Sequence, residues 1–509
     1  MRRMKPWIAL AATMAIVLAG CGKAEEPAVQ EEKENGIVVE EVTQTEEVEV
    51  ENIPLSVQTT TNHKTYYFDE GDQAYLYLQY CDVTLEGSQF ENLKRNVENW
   101  SMETNEVLRG LYAEFEKTAK EEAEDNGEEF FGYTLYQTVS TARIDERVLS
   151  LLDDTYQYTG GANGMYYREG VNFDSKTGKQ LELRDILVDY NGFAEEAKQR
   201  MLAELKLAYG EELFDDYEQT ITNLWQGENG PEWYLDATGI VIVVQQYEVG
   251  PYSVGMPQVH MPYKEFGRYI KEAYLPSIGE SVAHIEKNQE VYLELPNVGE
   301  TLPMMLQFEY KEYDTNCALW LGNDKTTLSD FATMEDAYLI RNGEEVYCLV
   351  ELDMASDDYV TYVFRLTNGV IDEVAQVSGA IDGGNVNAQQ VDMESWVNML
   401  GTYGGVKTYR FDENKGFTTA DDEYLLLKNE RVLTTTADLQ VLIDGVESTL
   451  PSGSHIVLNA TDGASYVRFT IQETGQMGTL KVQHDKENYR ILVNGISEYD
   501  CFKMLPYAG

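Results

Sequence analysis

The sequence has few basic residues, with 38 Lys and Arg against 89 Asp and Glu among its 509 residues, and a formal net charge of -51. Binding to nucleic acid needs clustered Lys and Arg that displace counterions from phosphates, so this composition excludes nucleic acid as a partner. An acidic surface favours solubility and attracts basic partners instead. Histidine is also scarce: five histidines against 35 tyrosines suit a β-rich exported protein better than a histidine-dependent enzyme.

The usual catalytic and metal-binding motifs are also missing. The histidines are scattered, without the H-E-x-x-H or His-x-His spacing of a metal site. Ser253 is preceded at two residues by Pro251, where a nucleophile elbow requires glycine. We therefore expect a protein that is not an enzyme, with no catalytic residues, no cofactor and no metal. An unrecognised cell-wall hydrolase is the alternative.

The N-terminus has the features of an export signal. Arg2, Arg3 and Lys5 precede an apolar stretch from Trp7 to Leu18, which is shorter than the ~20 apolar residues that span a bilayer. The stretch ends in Leu18-Ala19-Gly20-Cys21, which resembles the lipobox of bacterial lipoproteins. This resemblance implies a signal peptide over 1–20 and lipidation of Cys21. Two acyl chains would anchor the protein stably at the extracytoplasmic face of the cell membrane. An ordinary secretory signal is the alternative.

Residues 21–53 are rich in glutamate and show no hydrophobic periodicity, which predicts a solvated acidic tether. Removal of residues 1–20 would leave a net charge of -54. No later segment approaches ~18 uninterrupted apolar residues, so we expect the remainder to be soluble.

The four cysteines after Cys21 have no C-x-x-C or zinc-site spacing. Export permits disulfides, and Cys317–Cys348 is the favoured pair because both residues fall in one predicted domain. Four separate thiols, including Cys81 and Cys501, are the alternative.

Hydrophobic periodicity predicts an α+β fold. A helical apolar pattern runs from Phe90 to Phe115 and includes Val107, and a strand is predicted over Tyr133–Ile144. A hairpin turn at 174–179 is followed by a strand over Leu181–Leu187, and a helix is predicted over Phe193–Tyr209. We expect two tandem α+β domains, each an antiparallel sheet with packed helices, over 54–148 and 149–277. A β-rich meander over 278–435 and a β module over 436–509 follow.

The C-terminal segment from Leu439 to Val493 is similar to bacterial SH3-like modules. The similarity is carried by Leu450-Pro451-Ser452-Gly453 and by the run from Asp462 to Phe469. It implies a small SH3-like barrel that binds cell-wall peptides. A plain β-barrel without a ligand is the alternative.

Two runs carry a more specific resemblance. They are TGGANGMYYREGVNFDSKTGKQLELRDIL (159–187) and YEVGPYSVGMPQVHMPYKEF (247–266). Together they resemble the extracellular domain of the anti-sigma-V factors, which recurs beside peptidoglycan deacetylase domains. That domain binds lysozyme, so the resemblance implies a lysozyme-like protein as partner. The chain departs from the family in having a lipobox instead of a membrane helix, and Asn163 where histidine is common.

The glycine-rich turn and the tyrosine-rich segment are the candidate binding residues, because loops with glycine and aromatic residues form recognition surfaces. The candidates are Gly160, Gly161, Asn163, Gly164, Tyr247, Glu248, Pro251 and Tyr252. The alternative is that the glycines serve turns and that Tyr247 and Tyr252 belong to the core. The sequence thus predicts a non-catalytic envelope lipoprotein that binds a lysozyme-like protein or peptidoglycan. A scaffold for other envelope proteins is the competing function.

Overall fold

The computed structural model describes residues 55–68, 74–87, 89–127, 130–227, 230–310, 315–354, 358–412, 416–420, 422–427 and 431–507. The predicted signal peptide, the lipidation site Cys21 and the acidic tether lie outside these ranges. Within these ranges, no helix has the length and apolar character needed to cross a bilayer.

The first part of the chain forms a β-sheet with one long helix. Its elements are β1 (Ser56–Tyr67), β2 (Ala74–Glu86), α1 (Glu91–Asn126), β3 (Tyr133–Ile144), β4 (Val148–Tyr158) and β5 (Met165–Asp174). Strands β2 and β3 pair in parallel, and α1 supplies the crossover that a parallel pair requires. The predicted strand over Tyr133–Ile144 is confirmed.

The long helix α1 follows from its apolar spacing, as predicted. It buries Leu93, Val97 and Trp100 in its first turns and Leu108 later on. Val107, which the sequence also places in the apolar stripe, is 38% exposed, because its neighbour Leu108 occupies the buried face. The helix ends where the Gly127 N–H donates to the Ala123 carbonyl, with Gly127 at positive φ.

The next part contains most of the remaining helices. Its elements are α2 (Leu183–Ile186), α3 (Tyr190–Tyr209), α4 (Tyr217–Gln226), β6 (Glu232–Leu235), β7 (Gly239–Val243), β8 (Gln258–Pro262) and α5 (Tyr263–Phe266). The strand predicted over Leu181–Leu187 is wrong, since α2 occupies it. A capping box between Glu182 and Asp185 favours one helical turn there. The predicted helix over Phe193–Tyr209 is confirmed, and it begins earlier because Asp189 accepts from the Gly192 N–H.

The remainder of the chain is mainly strand, as predicted beyond Ile278. The strands up to residue 378 are β9 (Ser281–His284), β10 (Glu290–Leu293), β11 (Leu302–Glu309), β12 (Asn316–Leu321), β13 (Asp324–Leu328), β14 (Thr333–Asn342), β15 (Glu345–Asp353), β16 (Tyr359–Thr367) and β17 (Val370–Ser378). The elements after them are β18 (Ala380–Val386), β19 (Gln390–Asn398), β20 (Thr402–Asp412), β21 (Gly416–Thr419), β22 (Tyr424–Leu426), β23 (Val432–Thr434), β24 (Leu439–Ile443), β25 (Val446–Leu450), β26 (His455–Thr461), β27 (Tyr466–Ile471), β28 (Met477–Asp485), β29 (Arg490–Val493), β30 (Ile496–Ser497) and α6 (Glu498–Cys501).

These strands form several sheets, and the fold is mixed α and β, with 21% helix and 50% strand among the described residues. The first sheet has the order β1-β2-β3-β9-β14-β15-β16-β17, with β4 joined to β3 and β5 joined to β4. Smaller sheets have the orders β6-β7-β8 and β10-β11-β12-β13. The last sheet has the order β18-β19-β20-β22-β26-β27-β28-β24-β25, with further short strands at its sides. The first sheet therefore contains strands from three of the predicted domain ranges.

The first and last sheets share a hydrophobic core. Buried side chains from both sheets, including Val57, Leu349 and Val391, form one cluster. At its edge Tyr347 stacks on Phe411, with ring centroids 4.4 Å apart. The Thr59 N–H also donates to the Asn385 side chain across the two sheets, at 2.9 Å.

The C-terminal strands do not close into a barrel among the described residues. Strand β26 pairs with β27 on one side and with β22 and β23 on the other, so the sheet continues past the predicted boundary at 435. The SH3-like barrel is therefore not confirmed, although β-rich structure in this region is.

The cysteines of the described residues are free thiols. Cys81, Cys317, Cys348 and Cys501 are all buried and unpaired with one another. The Cys317–Cys348 disulfide is therefore not formed. Burial raises the pKa of all four thiols, in the case of Cys317 to about 11, which keeps them protonated and unreactive.

Carboxyl groups are buried where the first and last sheets meet. Burial raises the pKa of Glu351 to about 8, although the Ile381 N–H donates to its carboxyl at 2.6 Å. Burial and the neighbouring Asp382 raise the pKa of Glu394 to about 7. Both groups are therefore protonated in the folded protein at mildly acidic pH, where the unfolded chain would ionise them.

Replacement of Glu351→Gln tests this arrangement. The pKa of Glu351 is higher in the folded protein than in the unfolded chain. Such a carboxyl stabilises the folded state most at pH values below its unfolded pKa, and this stabilisation is lost as pH rises to about 8. Glutamine stays neutral and still accepts from Ile381. Urea denaturation gives the free energy of unfolding of the variant and of the native protein. We expect the variant's value minus the native value to rise by about 2 kcal/mol or more between pH 5 and pH 9. The exposed Glu373→Gln in β17 is the control, and equal pH profiles for Glu351→Gln and native protein would contradict the prediction.

Candidate functional site

Three tyrosines form a row across neighbouring antiparallel strands. Tyr136 in β3 lies opposite Tyr156 in β4, and Tyr156 lies opposite Tyr166 in β5. The ring centroids are 5.1 Å apart in the first pair and 4.5 Å apart in the second. Aromatic pairs that face each other across strands stabilise a sheet. We call Tyr136, Tyr156 and Tyr166 the tyrosine ladder.

The glycine-rich turn joins β4 to β5 beside this ladder. Gly160 and Gly161 have φ of 92° and 96°, which glycine adopts without strain. Gly164 is required for a different reason: a Cβ at this position would lie 2.3 Å from the Tyr156 ring. The turn is closed by the Tyr158 hydroxyl, which donates to the Gly161 carbonyl at 2.9 Å. Gly164 therefore lets the turn pack directly on the ladder.

Two consecutive glutamines attach the second candidate segment to β5. The Tyr166 N–H donates to Gln246 Oε1 at 2.9 Å. The side-chain amide of Gln245 makes two hydrogen bonds with the backbone of Arg168. It accepts from the Arg168 backbone N–H at 3.2 Å and donates to the Arg168 carbonyl at 2.7 Å. These side chains bind the free edge of β5 as a neighbouring strand would. The segment 245–252 is thus fixed beside the end of the ladder.

Tyr247 and Tyr252 extend the ladder outwards. Their ring centroids lie 6.4 Å apart, and Tyr252 is close enough to Tyr156 to contribute to its raised pKa, for which burial is the larger cause. Tyr247 has φ of 66°, a left-handed conformation that is unusual for a residue with a bulky side chain. Such strain is often retained at functional sites.

The tyrosine ladder with Tyr247 and Tyr252 forms one surface, which we call the tyrosine surface. Tyr166, Tyr247 and Tyr252 are each 39% exposed, so the alternative that Tyr247 and Tyr252 belong to the core is wrong. Burial and a hydrogen bond with Tyr166 raise the pKa of Tyr136. Tyrosines of this kind present large apolar faces together with hydroxyl groups, a combination that is enriched in recognition surfaces.

A partly buried ion pair lies beside the surface. Arg168 donates to both carboxylate oxygens of Asp154 at 2.7 Å, and its remaining nitrogen donates to Gln258 Oε1 at 3.1 Å. The Tyr234 hydroxyl donates to the same Gln258 oxygen at 2.5 Å. A bidentate pair of this type fixes side-chain orientation as well as charge. The backbone of β5, which carries Tyr166, is therefore held rigidly.

The structure brings both predicted segments together, although they are more than 80 residues apart. Glu248 and Pro251 shape the loop: Glu248 accepts from the Gln245 N–H at 2.9 Å, and Pro251 begins the turn that contains Tyr252. Asn163 is exposed in the glycine-rich turn. Sequence reasoning missed Tyr136, Tyr156 and the two glutamines. The only available signal was the repeated tyrosine in the predicted strands, which does not reveal their register.

Two protein-family models match separate parts of the chain, and each part carries some of the tyrosine surface. The model of the family described as Deacetylase PdaC matches residues 77–166. The model of the family described as Protein of unknown function (DUF3298) matches residues 184–264. The chain contains a PdaC region and a DUF3298 region. The PdaC region carries the tyrosine ladder, and the DUF3298 region carries Tyr247 and Tyr252.

The solved structures that are similar to this chain include two members of the DUF3298 family. A DUF3298 family member from Bacteroides fragilis NCTC 9343 has 18% identity and a TM-score of 0.34, over 44% of this chain and 96% of its own. A DUF3298 family protein from Pseudomonas aeruginosa PAO1 has 21% identity and a TM-score of 0.31, over 44% of this chain and 99% of its own. No curated protein matches the chain.

Replacement of Gly164→Ala should disturb the ladder specifically. The new Cβ would collide with the Tyr156 ring, and relief of such overpacking typically costs about 1–3 kcal/mol of stability. Gly299→Ala is the matched control, because a Cβ there meets no atom within 4 Å. Thermal unfolding should show a lower melting temperature for Gly164→Ala only. Equal melting temperatures for the two variants would show that the turn does not depend on this contact.

Proposed function

We propose that this chain is a non-catalytic protein of the bacterial cell envelope whose tyrosine surface binds a lysozyme-like protein. The PdaC and DUF3298 regions support an envelope-associated role. The observation that carries the binding proposal is the meeting of both predicted segments in one exposed surface. A surface assembled from two distant segments, on a rigid sheet edge, is the arrangement expected of a recognition site.

The composition of the surface favours a protein partner. The turn at 159–163 is exposed throughout and consists of Thr, Gly, Ala and Asn, and it stands beside exposed tyrosines. Tyrosine, glycine and asparagine are also the residues that antibody loops use to contact proteins. Neighbouring rings are tilted, by 47° between Tyr156 and Tyr166 and by 46° between Tyr247 and Tyr252. The surface therefore offers ring edges and hydroxyls at several angles.

The charge of the chain favours a basic partner such as lysozyme. A net charge of -51 attracts basic proteins over long distances and accelerates their association. The resemblance of residues 159–187 and 247–266 to the anti-sigma-V family supports the same partner. Cell-wall glycan is the second candidate, favoured by the row of neighbouring tyrosine rings in the ladder.

The proposed location follows from the N-terminus. We propose that the protein lies at the extracytoplasmic face of the membrane and is anchored there by lipid on Cys21. Residues 21–53 would then form a tether between the anchor and the folded part. Replacement of Cys21→Ser should then move the protein from the membrane fraction to the soluble fraction.

Calorimetric titration with hen-type lysozyme at low and near-physiological salt tests the partner. We expect saturable one-to-one binding that persists at the higher salt, because contacts at the tyrosine surface are not screened as long-range charge attraction is. Replacement of Tyr247→Ser together with Tyr252→Ser should weaken binding by about tenfold or more, as loss of buried aromatic contacts does at interfaces. Tyr310→Ser, at a tyrosine that is 70% exposed outside this surface, is the control.

The other outcomes distinguish the alternatives. Binding that disappears at the higher salt would indicate nonspecific charge attraction and would contradict the proposal. No binding to lysozyme, with salt-independent binding to muropeptides that requires Tyr247 and Tyr252, would favour wall glycan. Turnover of muropeptides would indicate a hydrolase. Partners recovered only by mild crosslinking of cells would favour a scaffold.

A further inference from the structure

A second site lies apart from the tyrosine surface. A cavity of about 600 Å³, open on one side, is lined by the DUF3298 region, the segment around Leu275 and the strands β3, β9, β10 and β14. None of its described lining residues belongs to the tyrosine surface. Its size falls within the range of about 300–1,000 Å³ that is typical of small-molecule sites.

Two of the three cations in the cavity wall already have partners. Arg143 is buried and donates to the Asp145 carboxylate at 2.9 and 2.7 Å, and its other donors bind Tyr263 and backbone carbonyls. Lys264 lies 3.6 Å from the Glu290 carboxylate and also contacts the Tyr292 hydroxyl. Both cations therefore have a carboxylate partner in the wall.

Arg341 is the exception. It lies in β14, and its side chain belongs to the cavity wall although the residue is only 8% exposed. Its Nη2 donates to the Glu294 carbonyl at 2.7 Å, and among the described residues no carboxylate lies within 4.0 Å of its guanidinium. A guanidinium carries five N–H donors, and the bond to Glu294 is the one hydrogen bond of this side chain among the described residues, which leaves donors for a ligand.

The guanidinium of Arg341 is partly desolvated. Desolvation lowers its pKa, and the charge of Glu294 opposes this effect only in part. None of its nitrogens is both buried and unpaired, so the donors without a protein partner are accessible. An anion that enters the cavity can therefore reach these donors, and it would offset part of the desolvation.

We propose that this cavity binds a small ligand through a free carboxylate group held by Arg341. The planar fork of a guanidinium matches a carboxylate with two parallel hydrogen bonds. Phosphate is disfavoured because four acidic residues, namely Asp145, Asp236, Glu290 and Glu294, also line the cavity. Their charges would repel a dianion more strongly than a monoanion.

The rest of the wall indicates the body of the ligand. Val291, Leu293 and Leu339 supply apolar surface, while Ser281 and Thr301 supply hydroxyl groups. This mixture suits an uncharged, partly apolar body such as an acylated amino acid or a short acylated peptide with a free carboxyl end. The site does not depend on the proposed binding of a lysozyme-like protein, because the two surfaces share no residue.

The probes for this site are N-acetylalanine, N-acetylalanylalanine, the C-terminal amide of the same dipeptide, and inorganic phosphate. We expect calorimetric titration of the full-length protein to show saturable binding of at least one free carboxylate, no binding of the amide and weaker binding of phosphate. Arg341→Met should weaken carboxylate binding by about tenfold or more, the effect of losing a charge-assisted hydrogen bond. Arg365→Met, at an arginine of β16 that lies two strands away in the same sheet and outside the cavity, should bind as the native protein does.

Several results would overturn the proposal. They are equal binding of the amide and the acid, tighter binding of phosphate, unchanged binding by Arg341→Met, and no binding of any carboxylate probe at millimolar concentration. Arg341→Met should melt at or above the native temperature in the absence of ligand, because it removes a partly desolvated charge that has no carboxylate within 4.0 Å among the described residues. If that variant fails to fold, Ala283→Met fills the same cavity and keeps Arg341. Retained binding by Ala283→Met would then overturn the proposal.

Discussion

The strand β3 is the constraint on which the rest of the structure depends. Its first residues pair in parallel with β2, its last two residues pair with β9, and β4 covers its other edge. Along this one strand lie Tyr136 of the ladder, the buried Gln137 and Arg143 of the cavity wall. Gln137 accepts from the Cys81 N–H at 3.1 Å and donates to Asp153 at 2.8 Å, so it bonds to both neighbouring strands. A shift in the register of β3 would displace the tyrosine surface and the cavity together.

The scarcity of cations shapes the interior as well as the surface. With 38 basic residues for 89 acidic ones, most carboxylates have no positive partner. Asp153 is a buried example, and burial raises its pKa to about 8, with Glu169 adding to the effect and the Gln137 hydrogen bond opposing it. Three arginines lie at structurally important places: Arg143 in the cavity wall, Arg168 beside the tyrosine surface and Arg341 in the cavity wall. Arg143 and Arg168 each bind a carboxylate, whereas Arg341 has no carboxylate within 4.0 Å among the described residues and donates to a backbone carbonyl.

The sequence predicted local structure well and long-range structure poorly, for physical reasons. The apolar spacing of α1 and α3 and the alternation in β3 act over a few residues, and these elements were predicted correctly. The ladder depends on strand register, which brings together tyrosines that are 10 or 20 residues apart, and no local pattern encodes it. The four-residue strand β9 lies between β3 and β14 in the first sheet. It therefore joins segments that the sequence pattern assigned to different domains. The candidate residues Tyr247 and Tyr252 were found because they are clustered, whereas Gln245 and Gln246, which position them, look like ordinary polar residues.

The four cysteines of the described residues, Cys81, Cys317, Cys348 and Cys501, are buried in different surroundings and are free thiols. Cys81 lies in the first sheet beneath Gln137, and Cys501 lies in the core of the last sheet. Each thiol becomes reactive only when its own surroundings open. The rate at which each cysteine reacts with an alkylating reagent therefore reports the local opening of a different part of the same molecule, without any added label.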